Sequence, residues 1–367
     1  MNYTEVSLAR LQDDVDLNQL VPLKRTKKEK KMLKTAEAVS IGHPDKTADY
    51  ISSYILDKFI EQTPNIRYAV EVMIKNNTVV LGGEISALIK TDLIIKYVKE
   101  ALREIGYDEH YSDIWKGKAI NINQLNVINL IGIQSSEISK GLQNGWGDQG
   151  VFVGYACQGK SFINKELFLA KKLNNALYTL AHQNQNLGLD IKTQITINEL
   201  GHITTAIVAI PMLQPEDLNY FIIQTLEEKP DEIIINGTGI YQQHSSIADC
   251  GITGRKLACD FYSSACPIGG GSPWTKDATK ADLTLNLYAR YLAIQNLKEN
   301  DECFVYLSSC IDQSKLPSAV IKTIHNDQST YQQFELNKAP IELIQMFGLN
   351  QPVYAELCKK GLSEFIH

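Results

Sequence analysis

The chain has 367 residues, of which 44% are hydrophobic and 21% are charged. These shares are ordinary for a globular protein and exclude wholesale disorder, while the length predicts two or three domains. A net charge of −6 excludes a broad basic surface of the kind that binds nucleic acid or an anionic membrane. Seven cysteines without a C-x-x-C pair predict reduced thiols, and no apolar run reaches the length of a membrane span. The sequence therefore predicts a cytoplasmic protein.

The predicted elements follow one another as helices and strand pairs. Residues 1–34 are a polar N-terminal extension with a basic run, which fits a solvated arm or a docking segment. Apolar periodicity predicts helices over 46–61, 91–104, 162–183, 215–228, 279–297, 339–347 and 352–361. Alternation and turn residues predict strands over 68–74, 78–85, 194–197, 203–210, 303–307 and 318–324. Each third thus holds a strand pair and about two helices, which predicts an α+β fold of three similar domains over 35–140, 141–247 and 248–367.

One segment matches a phosphate-binding loop by its residue pattern. Residues 154–161 fit G-x-x-x-x-G-K-S and precede a helical stretch, and in a true loop of this kind Lys160 would neutralise phosphate. The apolar run before it has only three residues, and we find no later strand that ends in a metal-binding aspartate. We favour a chance match in a turn and keep a phosphate-loop nucleotide hydrolase as an alternative.

A more informative block stands immediately before the first strong helix. It reads Gly42-His43-Pro44-Asp45-Lys46. An imidazole, a carboxylate and an ammonium within four residues at the positive end of a helix suit a metal-bound polyphosphate. Asp45 alone would also fit an ordinary helix cap.

Three further blocks combine glycine with charge. Residues 147–150 read GDQG, which alone is an ordinary turn. Residues 249–256 read DCGITGRK and place two cations after two glycines, as a loop that closely approaches an anion needs. Residues 269–282 read GGGSPWTKDATKAD, with Lys276 and Lys280 one helical turn apart.

In this order the four blocks resemble those of the methionine adenosyltransferase (S-adenosylmethionine synthetase) family. The resemblance covers about residues 36–355 and marks the chain as a divergent member. It implies three α+β domains with pseudo-threefold symmetry, and the synthesis of S-adenosylmethionine from ATP and L-methionine. It also implies Mg²⁺ (two per site) and K⁺ as cofactors, and a homodimer or dimer of dimers with the active site between two subunits.

The resemblance implies a role for each matching residue. The catalytic group would be His43, Lys46, Lys192, Arg255 and Lys276. ATP and its triphosphate would be bound by His43, Lys46, Asp190, Lys192, Tyr241, Asp249, Arg255, Lys256 and Lys276. Methionine would contact Glu84, Gln134, Asp148, Asp249 and Lys280. Asp45 and Asp282 would bind Mg²⁺, and Glu71 would lie at the K⁺ site; an ordinary solvent-facing strand residue is the alternative for Glu71.

Several positions depart from the family pattern. They are Ile240 in place of arginine, His244-Ser245-Ser246 in place of Gly-Gly-Pro, Ser263-Ser264 in place of Gly-Gly, Ile268 in place of histidine, Asp312, and Lys359-Lys360-Gly361-Leu362 in place of the usual tail motif. The departures lie near the nucleoside pocket, the loops and the tail. They motivate two alternatives to the synthetase: a paralogue that binds ATP or triphosphate without turnover, and a transferase with an altered substrate.

Overall fold

The computed structural model describes residues 33–87, 90–134, 145–311, 313, 315–336 and 338–366. The helices are α1 (Pro44–Ile60), α2 (Thr91–Ile105), α3 (Glu109–Trp115), α4 (Lys165–Gln183), α5 (Asn219–Leu226), α6 (Ser245–Ala248), α7 (Leu257–Asp260), α8 (Ala281–Leu297), α9 (Pro340–Met346) and α10 (Tyr354–Lys360). The strands are β1 (Lys34–Val39), β2 (Tyr68–Lys75), β3 (Thr78–Ile85), β4 (Asn126–Ile133), β5 (Gly150–Cys157), β6 (Lys192–Ile197), β7 (Ile203–Ala209), β8 (Glu232–Ile235), β9 (Gly251–Ile252), β10 (Glu302–Ser309), β11 (Ser318–His325) and β12 (Gln328–Gln333).

The described strands form three four-stranded sheets, and each sheet takes one strand from a distant part of the chain. The N-terminal sheet has the order β4-β3-β2-β9, the central sheet β1-β6-β7-β8, and the C-terminal sheet β5-β10-β11-β12. Thus β9 completes the first sheet, β1 the second and β5 the third. The boundaries at 35–140, 141–247 and 248–367 stay a prediction, and cuts at them would separate these three strands from their sheets.

The N-terminal sheet buries one face, as the alternation of β2 requires. Tyr68, Val70, Val72 and Ile74 point into the core, while the residues between them face outward. Helix α1 packs on the buried side, where the Ser52 hydroxyl donates to the Val70 carbonyl at 2.7 Å. The first predicted helix and hairpin are therefore confirmed.

The opposite face of this sheet is apolar and exposed. We call it the outer apolar face; its members are Met73, Ile128, Leu130 and Ile252. The side chain of Leu130 is 65% exposed and that of Ile128 is 40% exposed. A contiguous apolar patch on a sheet face is typical of a protein–protein interface.

The segment that matches a phosphate-binding loop has a different structure. Residues 154–157 lie inside β5 and pair with β10, with Gly154 opposite Val305. The ammonium of Lys160 lies over the Phe168 ring, 5.6 Å from its centroid. The segment is not a phosphate cradle, because its first four residues belong to β5, which ends at Cys157. Only its last residues, Lys160 and Ser161, lie in a short 3₁₀ turn before α4, so the turn that we favoured holds for that part alone.

Gly154 allows β5 to pack directly on α8. A Cβ at this position would clash with the Ala289 carbonyl and would lie 2.5 Å from the Arg290 nitrogen. We expect Gly154→Ala to lower the free energy of unfolding by about 1–3 kcal/mol, measured by urea denaturation. Gly237→Ala is the control, because its Cβ would meet only Ile234 at 3.5 Å. Equal unfolding midpoints for the two variants would contradict this close packing.

Candidate functional site

The first block forms the start of α1. His43 is the N-cap, Pro44 follows it, and the Asp45 N–H donates to His43 Nδ1 at 3.2 Å. Proline suits this position because its missing N–H would have no helical partner. The His43 imidazole is 3% exposed and is therefore almost completely buried.

Asp45 joins the first block to the third, more than 200 residues later. One carboxylate oxygen accepts the Ile252 N–H at 2.9 Å, and the other accepts from the Lys256 ammonium at 2.6 Å. The Arg255 Nε lies 3.8 Å from the same carboxylate. Gly251 has no room for a side chain against the Pro44 carbonyl. These contacts bring His43, Asp45, Arg255 and Lys256 together in what we call the histidine cluster.

The electrostatics of the histidine cluster keep His43 neutral. Burial, followed by the charge of Lys256, lowers the pKa of His43 to about 3, with Lys192 acting in the same direction. The charges of Asp45 and Asp249 act in the opposite direction. Since Nδ1 accepts a hydrogen bond, the proton of the neutral ring is assigned to Nε2. His43 can therefore donate a hydrogen bond from Nε2 while remaining uncharged.

Asp190 extends the histidine cluster toward the central sheet. Its carboxylate accepts the Ser245 N–H at 2.9 Å, and burial raises the pKa of Asp190 to about 7. Burial and the neighbouring Asp190 charge also raise the pKa of Tyr241. Lys192, two residues further on, partly offsets the shift at Asp190. Asp190, Lys192 and Tyr241 are thus close neighbours in the structure.

Lys46 points away from this group. Its ammonium lies 2.8 Å from Asp260 and 3.2 Å from Asp49, below the Trp274 ring. Burial is the largest single influence and opposes its charge, but Asp260, Cys358 and Asp49 together outweigh burial and raise the pKa of Lys46. The structure therefore does not bring Lys46 together with the other candidate phosphate ligands.

The remaining candidates form a second group, which we call the lysine cluster. Residues 275–277 run antiparallel to β2, with Lys276 opposite Ala69, and Glu84 of β3 is also opposite Ala69. Gln134 follows at the same end of the sheet, where its N–H donates to Ile85 at 3.0 Å. The members are Glu84, Gln134, Lys276 and Asp282, and Lys280 stands directly before α8, two residues ahead of Asp282.

The lysine cluster is held by an ion pair and by its glycines. Lys276 pairs with Asp282, and Gly271 lies so close to the Asp282 carboxylate that a Cβ would clash. Gly269 packs on the Val151 carbonyl at the start of β5, which places Asp148 of the second block nearby. The second and fourth blocks therefore meet, as the first and third blocks do.

The two clusters lie on different parts of the N-terminal sheet. Residue 276 pairs with β2 at Ala69, whereas β9 pairs at Met73 and Ile74, which is about 15 Å further along the strand. Opposite residues of paired strands point to the same face, so Lys276 shares the outward side of Ala69. The lysine cluster thus borders the outer apolar face, and the histidine cluster lies at the start of α1.

Glu71 lies between the two clusters. One of its carboxylate oxygens accepts from the Thr253 hydroxyl, and the other accepts from the Thr275 hydroxyl at 3.0 Å. These threonines belong to the third and fourth blocks, and the sequence reasoning missed both. Each threonine lies shortly before a lysine of its block, Thr253 three residues before Lys256 and Thr275 directly before Lys276, and this proximity could have drawn attention to them.

Comparison with known proteins identifies the family of this chain. Residues 31–136 match the S-adenosylmethionine synthetase N-terminal domain, and residues 244–364 match the C-terminal domain. An S-adenosylmethionine synthase from Pelagibacter ubique is 30% identical, over 90% of this chain and 92% of its own. The chain belongs to the S-adenosylmethionine synthetase family. The relative from Granulibacter bethesdensis is also 30% identical, over 89% of this chain and 90% of its own.

A solved structure is similar over nearly the whole chain. It is described as an unusual S-adenosylmethionine synthetase from Campylobacter jejuni, with a TM-score of 0.79 and 30% identity, covering 91% of this chain and 95% of that one. The predicted family, the α+β fold and the enzyme class, a methionine adenosyltransferase, are confirmed. None of the helices in the described ranges has the length and apolarity to cross a membrane.

Two departures from the family pattern keep a glycine-like backbone. Ser245 has a φ of 50° and Ser263 a φ of 54°, both in the left-handed region that glycine favours. Three other departures lie at the surface, in the tail or outside the described residues. Ile240 is exposed. The tail is held by Arg290, which donates to the Ser363 carbonyl at 2.8 Å. Asp312 and the N-terminal extension up to residue 32 lie outside the described residues.

The carboxylates suit a cation that arrives with its substrate. Within the described ranges, no three histidine, cysteine or carboxylate side chains form a ready metal site. Asp45 and Asp282 each offer one carboxylate, paired with a lysine. Mg²⁺ commonly takes one or two carboxylates and completes its shell with water and substrate phosphates. The oxygen donors present therefore fit Mg²⁺ bound to a polyphosphate.

The histidines should separate widely in a proton NMR titration of the ligand-free protein. We expect His43 to titrate near pH 3 and His244 near pH 4, because burial disfavours their charged forms. Hydrogen bonds that the His202 imidazole donates to Asp231 and Glu228 raise the pKa of His202, so its contribution to stability is present below pH 6.5 and is lost as pH rises through the raised folded-state pKa. Single His→Gln spectra assign the signals. A His43 signal that titrates above pH 6.5 would contradict the effect of burial.

Proposed function

We propose that the protein joins ATP and L-methionine into S-adenosylmethionine. The methionine sulfur forms a bond to C5′ of the ribose, and the C5′–O5′ bond breaks with its electron pair going to the triphosphate. The triphosphate is then hydrolysed: one water attacks a terminal phosphorus, the bridging P–O bond breaks, and phosphate and pyrophosphate are formed. The observation that carries this proposal is the histidine cluster, in which a neutral imidazole lies beside Arg255 and Lys256.

The residues suit this chemistry. A thioether is nucleophilic without losing a proton, so the reaction needs no general base. Its barrier lies in the negative charge that develops on O5′ and the triphosphate, which fixed donors stabilise in a water-poor site. The Nε2–H of His43 would donate to O5′, and Lys192, Arg255 and Lys256 would contact the triphosphate.

The nucleoside and methionine would bind on either side of this group. We assign the adenosine to Asp190, Tyr241 and Asp249, and the methionine to Glu84, Gln134, Asp148, Asp249 and Lys280. Lys276 would contact the triphosphate from the lysine cluster. Lys46 is left out of these contacts, because its buried ion pairs give it a structural role.

Mg²⁺ and K⁺ complete the proposed site. Asp45 and Asp282 would each hold one Mg²⁺ through the triphosphate, and Glu71 would offer its carboxylate to K⁺. When bound, the cations would neutralise charge on the leaving group. The side chains of Asp45 and Asp282 must then exchange part of their present lysine contacts for the cation.

Two copies of the chain would build each site. The lysine cluster borders the outer apolar face, and burial of this face against a second copy would carry that cluster to the partner's histidine cluster. A homodimer is the smallest such assembly, and a dimer of dimers is also compatible. We keep the cytoplasmic location as part of this proposal.

One assay tests the proposal against its alternatives. Purified protein receives ATP, L-methionine, Mg²⁺ and K⁺, and the products are followed by mass spectrometry and phosphate assays. Equal yields of the sulfonium product, phosphate and pyrophosphate support the synthetase. ATP binding without product supports the non-catalytic paralogue that Ile240 and the altered tail motivate. Product from another thioether or nucleotide supports altered substrate choice, and phosphate release that requires Lys160 supports the hydrolase.

A further inference from the structure

His244, one of the departures from the family pattern, is buried against Tyr111 and Trp115 of α3. Its Nδ1 lies 2.8 Å from the Gln242 carbonyl, so Nδ1 carries the proton and Nε2 is the acceptor. Nε2 lies 2.5 Å from the Tyr111 hydroxyl, which donates to it. The Trp115 ring packs edge-on against the imidazole, with 4.6 Å between ring centroids. Both ring nitrogens of His244 are therefore hydrogen-bonded.

The Tyr111 hydroxyl links His244 to the segment that carries Asp190. While it donates to His244, it accepts the Leu189 N–H at 3.2 Å. The residue after His244 acts on the same segment, because the Ser245 N–H donates to the Asp190 carboxylate. Asp190 is thus held at two points: the N–H of the preceding residue, Leu189, is bonded to Tyr111, and the Asp190 carboxylate is bonded to Ser245.

The same segment supports the loop that holds His43. Gly42 lies directly on the Leu189 carbonyl, with no room for a Cβ between them. The Ser40 hydroxyl donates to that carbonyl at 2.6 Å, and the Tyr107 hydroxyl donates to the Gly42 carbonyl at 2.6 Å. A shift of Leu189 would therefore move both Asp190 and His43.

We propose that His244 and Tyr111 are positioning residues for the nucleoside side of the site, acting through the Leu189 peptide on Asp190 and His43. Neither would touch a substrate. This inference rests on the proposed function for the identity of the ligand. It gives a physical role to His244, which otherwise only interrupts the family pattern.

The first test removes the Tyr111 hydroxyl, which links His244 to Leu189. Tyr111→Phe leaves the buried Leu189 N–H and His244 Nε2 without partners, so the segment should relax away from its present position. We expect the KM for ATP and its Kd by calorimetry to rise about tenfold, with the KM for methionine within about twofold. Tyr155→Phe is the control; it loses a partly buried hydrogen bond of 2.6 Å from its hydroxyl to Glu302 in the C-terminal sheet.

The second test asks for rescue at His244. A His244→Gln side chain can still accept from Tyr111, whereas His244→Leu has similar bulk and no acceptor. We expect His244→Gln to keep ATP affinity within about threefold of the unchanged protein and His244→Leu to reproduce the loss seen for Tyr111→Phe. Thermal unfolding of each variant shows whether the comparison is between folded proteins.

The outcomes separate this inference from the proposed function. Equal weakening of ATP and methionine, or weakening that merely follows the drop in melting temperature shown also by Tyr155→Phe, would overturn the positioning role. If the unchanged protein binds ATP but forms no S-adenosylmethionine, the proposed function fails. The calorimetric ATP Kd of the variants still decides the positioning role in that case.

Discussion

A His43→Ala variant is expected to form S-adenosylmethionine about 10²–10³ times more slowly than the unchanged protein while binding ATP within about threefold. The neutral imidazole supplies its Nε2–H to charge that appears on O5′ only as the C5′–O5′ bond breaks. The triphosphate of bound ATP is held by the cations, which this variant retains. The loss should therefore fall on kcat and spare the ATP Kd.

Single-turnover product formation and calorimetry make this comparison. His325→Ala is a suitable control, because His325 is exposed at the end of β11. If His43→Ala and His325→Ala form product at rates within threefold of each other, His43 does not take part in the reaction. A parallel loss of ATP affinity would assign His43 to ground-state binding instead.

Mixing two inactive variants should restore activity if each site is shared between two chains. His43→Ala and Lys276→Ala would each be nearly inactive alone, since every site in either homodimer carries one altered cluster. Random assortment at equal amounts makes half of the dimers mixed, and one of the two sites in a mixed dimer is then intact. We expect about a quarter of the unchanged activity after co-expression with two affinity tags.

The matched control mixes two variants of the same cluster. His43→Ala with Lys256→Ala should give no recovery, because both changes lie in the histidine cluster and every site in the mixed dimer keeps one defect. Recovery in this control, or none with Lys276→Ala in dimers isolated by both tags, would contradict a site built from the histidine cluster of one chain and the lysine cluster of another.

The contact between the first and third blocks agrees with what the sequence predicted. Charged residues of GHPDK and DCGITGRK were assigned to one triphosphate site, and Asp45 and Lys256 are 2.6 Å apart. Lys46 shows the limit of such reasoning. Successive helical residues differ in direction by about 100°, so Lys46 faces Asp260 in the interior although Asp45 faces Lys256. A motif groups residues by their order along the chain, whereas only the packed helix determines where each side chain points.

Some of the elements that the sequence missed carry a weak periodic signal and pair with distant strands. β9 has two residues and β1 buries only Ala36 and Ala38, and the partners of both strands lie more than 150 residues away. Helix α3 has seven residues, so its buried Tyr111 and Trp115 do not fill a recognisable stripe. The residues proposed here to position Asp190 lie in this missed helix and in a loop that departs from the family pattern.

The exchange of strands among the three sheets has a consequence during synthesis. The strands β2 to β4 are complete at residue 133, yet β9 occupies residues 251 and 252. At about 5–20 residues per second, translation leaves that edge of β2 uncovered for roughly 6 to 24 s. A nascent chain therefore carries a template for β-pairing while most of the protein is still being made. Truncated fragments would keep this open edge permanently, and we expect them to aggregate rather than fold as separate domains.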